Sequence, residues 1–182
     1  MIRKHRNDIL KRINSATIFV LVCALAVGAF QSVEWIKFSP VGAGFSVLMP
    51  AKPAEEIKSS DDFTSHLFSL TTDKAIYLAG YGEYAPSIKL SADAELTLNR
   101  DKFLKGLNAN LLASKQITLD GRPGLEFTGE SEQASFKSRV YLSGNRVYQV
   151  AVAVLSGKTD YENVDRFFAS FAFANSESHP KP

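Results

Sequence analysis

Cysteine, tryptophan and histidine are scarce in this chain, with one, one and three copies among 182 residues, and each scarcity removes a class of chemistry. The lone Cys23 lies in an apolar N-terminal run, so the chain closes no internal disulfide and offers no thiolate nucleophile downstream. A hydrolytic nucleophile needs a positioned base. Past the N-terminal run the only imidazoles are His66, in a strand-like segment, and His179, in a polar tail. His66 with the adjacent Asp61 and Asp62 does not complete a metal shell, and no cofactor is expected. The glycine pairs in "VGAG" and "GRPG" lack the Lys and Ser/Thr that make a phosphate loop, and read as turns. The acid pairs Glu55/Glu56 and Glu130/Glu132 fall in polar connections and read as surface.

Long basic stripes are missing as well. The overall charge of +2 comes from Arg3, Lys4, Arg6, Lys11 and Arg12, which face only Asp8 in the first dozen residues, and the remainder is mildly acidic. Phosphate recognition needs several clustered cations, so nucleic acid is excluded as a partner.

The one long hydrophobic run follows this basic stretch: Ala16 to Phe30 carries no charged or amide side chain. Positive residues before an apolar run hold the N-terminus in the cytoplasm, so the domain is expected outside it, in the periplasm or at the cell surface. Two fates fit the leader. The "VGA" before Phe30 permits signal-peptide cleavage after Ala29. Alternatively, a helix from Ile13 to Val33 would span about 31 Å, close to the hydrocarbon thickness, and would remain as a membrane anchor. The sequence thus divides into a leader at 1–33, one domain at 34–174, and a polar tail at 175–182 expected to be mobile.

Within the domain, "EWIKFS" and "GFSVLMP" read as a hairpin around a Pro/Gly turn, followed by an edge strand near Ile57 and two strands meeting at Asp73-Lys74. From Ser91, Leu96, Phe103, Leu104 and Leu107 recur at helical spacing, with closure near Gly106 to Asn110. Four strands then form an antiparallel meander through the Asp120-Gly121 and Gly144-Asn145 turns. A two-residue turn at Gly144-Asn145 sets Leu142 against Val147, whereas joining the apolar faces calls for an offset of one, hence a bulge. In "VYQVAVAVL" a Tyr/Val face backs an Ala-rich one, which predicts a central strand covered on both sides. The last helix is expected to open with a Thr159/Glu162 capping box and to carry a stripe of Tyr161, Val164, Phe167, Phe168 and Phe171.

The stretches "GFSVLMPAKP", "DGRPGLEF", "SRVYLSGNRVYQVAVAV" and "FFASFAF", in this order, resemble the PsbP-like superfamily of extracytoplasmic domains, which share the fold of the extrinsic subunit of photosystem II. The resemblance covers about Trp35 to Phe173. It implies binding or assembly work without agreed catalytic residues, and no photosynthetic partner is inherited with it. Together with the pattern it sets the expected fold class: α+β, an antiparallel sheet of about six to eight strands flanked by two main helices (an α/β/α sandwich), preceded by an N-terminal hydrophobic helix.

Two places stand out as candidate sites. Lys137, Arg139 and Tyr141 share the strand face opposite Phe136, Val140 and Leu142, and form either a partner-docking strip or a solvated face. Gly80 and Gly82 share one strand face, and admit either a close-approaching backbone or ligand, or a bulge or tightly packed helix. The expected function is a non-enzymatic extracytoplasmic binding or assembly module, monomeric as a domain. It would meet the membrane through its N-terminal segment and an unidentified protein through its folded part. The alternatives are a carrier of a small apolar ligand, or an enzyme with an unrecognised site.

Overall fold

A computed structural model describes residues 35–174. The leader, the Ala29 cleavage position and the polar tail lie outside them. Among the described residues no helix is long and apolar enough to cross a membrane.

The opening hairpin forms as read: β1 (Ile36–Phe38) pairs with β2 (Phe45–Met49), both antiparallel. Strands β3 (Ala54–Ser59), β4 (Phe63–Thr71) and β5 (Ala75–Tyr84) follow, then helix α1 (Ala92–Gly106). The meander is β6 (Asn110–Leu119), β7 (Arg122–Glu130), β8 (Ala134–Ser143) and β9 (Arg146–Leu155). Helix α2 (Tyr161–Ser170) and β10 (Ala172–Phe173) close the described chain. Seven strands make the main sheet, in the order β3-β4-β5-β9-β8-β7-β6, and every neighbouring pair is antiparallel. A second sheet, β1-β2-β10, was not separable in the sequence. It joins α2 as a single covering layer.

The middle position of β9 follows from its composition. Tyr148, Val150 and Val152 enter one core with Phe45, Val47 and Met49 of β2 and Phe167 and Phe168 of α2. Val147, Ala151 and Ala153 enter the other with Leu96, Phe103 and Leu104 of α1. Large side chains on the first face fill the space beneath the composite layer, and the small Ala151 and Ala153 contribute to the α1 side.

The β8–β9 hairpin corrects the expected bulge: its register runs unbroken from Ala134↔Leu155 to Ser143↔Arg146, with Leu142 opposite Val147. The mismatch is absorbed chemically. Gln149, opposite Val140, sits in the α1-side core and donates from Nε2 to Ser138 Oγ at 3.0 Å, and Ser138 donates to the Val150 carbonyl. Gln149 Oε1 stays buried without a partner among the described residues, a smaller cost than a slip that would turn every apolar side chain to the wrong face. The meander's real irregularity lies in β6, between Leu111 and Ala113.

Both helix starts differ in detail from expectation. Ser91 occupies the N-cap of α1 without a side-chain bond, and the first turn instead holds Asp93 and Glu95, which suit the positive end of the helix dipole. Glu95 is buried, and its Oε1 accepts the Tyr84 hydroxyl at 2.6 Å. The C-terminus closes as expected, with Asn108 at φ +50°. In α2 the N-cap is Asp160 and not Thr159. The carboxylate of Asp160 accepts the buried Tyr77 hydroxyl at 2.6 Å and Asn163 Nδ2 at 2.7 Å, so it ties the helix to β5 rather than capping its own amides. Tyr161 leaves the predicted stripe for solvent. We expect Tyr77→Phe to lower the unfolding free energy by about 1–3 kcal/mol, the cost of a buried acceptor losing one donor. A urea titration with an unchanged slope and a shifted midpoint would show this.

Candidate functional site

The Asp120-Gly121 turn pairs Leu119 with Arg122, and counting back along the hairpin brings Lys115 opposite Glu126. The β7–β8 register then sets Glu126 opposite Arg139. Directly opposed residues on one sheet face stand about 5 Å apart, so three charged side chains are forced to one level on the α2 side of the sheet. The Glu126 carboxylate receives Lys115 Nζ at 2.9 Å, Arg139 Nε at 2.6 Å and Lys137 Nζ at 3.6 Å. Burial pushes its pKa up, but bonds from Lys115 and Arg139 and the charges of Arg139 and Lys137 more than offset this and hold it at about 2.

This shelf is built onto the helix beside it. Arg139 Nη1 donates to the Phe168 carbonyl at 3.3 Å, and Lys137 and Arg139 both lie 5.1 Å from the Phe168 ring centroid. Further along, Arg122 lies 4.3 Å over Phe173 of β10 and donates to Ser143 Oγ. Cations thus seal the aromatic rim of the core where the covering layer ends. Three of them share one carboxylate, so the shelf keeps a positive excess, and Lys115, two-thirds exposed, carries it outward.

The three residues of the expected strip part ways. Lys137 and Arg139 lie on the shelf, but Tyr141 is 3% exposed and stacks on Phe171 at 5.7 Å. Tyr141 is a core residue because the α2 exit and β10 roof this end of the face. Its burial pushes the phenol pKa up. Lys115, Arg122 and Glu126 were missed, although counting register from the two-residue Asp-Gly turn would have placed Lys115 beside Glu126.

The paired glycines admit the chain's own packing. A side chain at Gly82 would collide with the Phe63 ring, and Gly80 is buried in register between Leu67 and Gln149. His66 does not meet Asp61 or Asp62. Its Nδ1 bonds Glu55 at 2.9 Å, and its ring stacks on Tyr81 at 4.7 Å. Nearby, Arg146 pairs with Glu83 at 2.7 Å and lies over the same tyrosine. Among the described residues no group of three His, Cys, Asp or Glu is placed to hold a metal. A groove of about 290 Å³ runs between the first turns of α1 and the β6–β7 hairpin, lined by Leu96, Thr97, Gln116, Thr118, Pro123 and Leu125 among others.

No family model and no curated protein sequence matches the chain. Among solved structures it is similar to the solution structure of cyanobacterial PsbP (CyanoP) from Synechocystis sp. PCC 6803, at 13% identity and a TM-score of 0.52, over 84% of this chain and 98% of that one. A crystal structure from Bacteroides thetaiotaomicron VPI-5482 matches at 14% identity and a TM-score of 0.43, over 78% of this chain and 49% of that one. The first likeness shows that the fold is PsbP-like.

Proposed function

We propose that the chain is a non-enzymatic binding or assembly module on the outer side of the membrane, which docks an acidic surface of a protein partner on the shelf around Glu126. The observation that carries this reading is the unbalanced charge: Lys115, Lys137 and Arg139 converge on one carboxylate. Helix α2 and Glu126 hold Lys137 and Arg139 in place, so little side-chain entropy remains to be lost on docking. The basic stretch and apolar run of the leader support export.

The test is photo-crosslinking in intact membranes from a probe at position 115. An acidic protein should be captured, and Lys137→Glu should cut its recovery several-fold. Capture that is indifferent to this change would remove the shelf from the docking surface. A second expectation concerns topology: protease added to cells stripped of any outer envelope should digest the folded domain and spare residues before Ser15. Digestion that requires lysis would overturn the export reading.

A further inference from the structure

The two edges of the seven-stranded sheet are protected to different degrees. Edge strand β3 follows Pro53 and carries Glu55, Glu56 and Lys58 in six residues, the charged, short edge that discourages pairing. Edge strand β6 has ten residues, nothing charged between Asn110 and Ser114, and exposed leucines at 111 and 112. Its bulge at Leu111/Ala113 breaks the ladder at one end only. From Ala113 to Leu119 the pairing with β7 is continuous, and among the described residues no strand lies on the outer side.

We infer that Ala113–Leu119 receives an extended segment of another protein as an eighth strand, with an acidic side chain beside Lys115 and uncharged ones at its other positions. An added strand supplies main-chain hydrogen bonds, and its alternating side chains fall on two faces. On one face they meet Lys115 at the margin of the shelf, with Ala113, Ile117 and Leu119 beside it. On the other they meet Ser114, Gln116 and Thr118, beside the groove lined by Asp93, Leu96 and Thr97, where the Asp93 carboxylate disfavours a second acid. A second copy of the chain fits poorly, because antiparallel self-pairing brings two Lys115 ammoniums onto the same face. The inference rests on the docking function proposed above and names the form the partner takes.

The experiment uses the full chain in detergent and a blocked, fluorescein-labelled peptide of seven Val and Thr residues with one Glu at its centre. Its controls are a peptide of the same composition with the Glu at one end, and one with Lys in place of Glu. The peptide with the central Glu should bind at least tenfold more tightly than either control, and Lys115→Glu should weaken it about tenfold. Hydrogen exchange should show amides within 113–119 becoming protected on binding. Equal binding of the three peptides, or binding that leaves these amides unprotected, overturns the inference. A free chain that elutes as a dimer with 113–119 already protected assigns the edge to a second copy and overturns it equally. Should crosslinking from position 115 still capture an acidic protein while the β6 amides stay exposed, the shelf function stands and the added strand falls.

Discussion

Phe167→Ala will destabilise the domain by about 3–5 kcal/mol, the range for truncating a fully buried aromatic in a core that cannot collapse around the gap. Phe167 is 0% exposed and packs edge-on against Tyr77 at 5.4 Å and Phe168 at 5.5 Å. Tyr77 is itself held by Asp160 at the start of the same helix, so the neighbours are pinned and the cavity persists. Tyr161→Ala on the same helix provides the control. At 77% exposure it should cost less than about 0.5 kcal/mol. Urea midpoints of the two variants decide the matter, and a Phe167→Ala loss under about 1 kcal/mol would mean that α2 does not dock on the sheet.

Glu126→Gln should cost about 1–3 kcal/mol, because it leaves Lys115, Lys137 and Arg139 without the charge that gathers them. The change also carries a pH signature. The folded-state pKa, about 2, is depressed from an ordinary 4.5, so the carboxylate's contribution is fully present above about pH 4.5 and is lost as pH falls through 2. The parent should lose stability across that window more steeply than the Gln variant. Parallel stability curves between pH 5 and 2 would show that Glu126 is not held by its cations.

Legibility in the sequence followed the range of the interactions. Period-two alternation and two-residue turns are local, so the meander and the two-faced, central β9 could be read directly. The expected bulge at Gly144-Asn145 was wrong because the reading assumed that each face must be uniformly apolar, whereas the buried Gln149–Ser138 bond makes a polar position tolerable there. Thr159 was read as a cap on spacing alone, but the helix starts one residue later, where Asp160 finds Tyr77 from a distant strand. The setting of Lys137, Arg139 and Tyr141 was half legible for the same reason. Lys137 and Arg139 share a face by alternation, while the burial of Tyr141 depends on Phe171 and Phe173, some thirty positions away. Glu126, which organises the site, looked like one acid in a strand until its neighbours in space were known.

The small sheet carries a consequence for how the chain folds as it is made. β2 lies between β1 and β10, and the Leu48 amide donates to Ser170 Oγ across 122 positions. The meander is built from neighbouring hairpins and can pair as it emerges, but β2 gains its second partner only when residues 172 and 173 are free. Until then Phe45 lacks Phe171, and Tyr148 lacks Phe173. The aromatic layer therefore stays incomplete until residues 171–173 are available to close it. The last two-residue strand thus acts as a late keystone: local hairpins come first, and the covering layer locks only through contacts far apart in the chain.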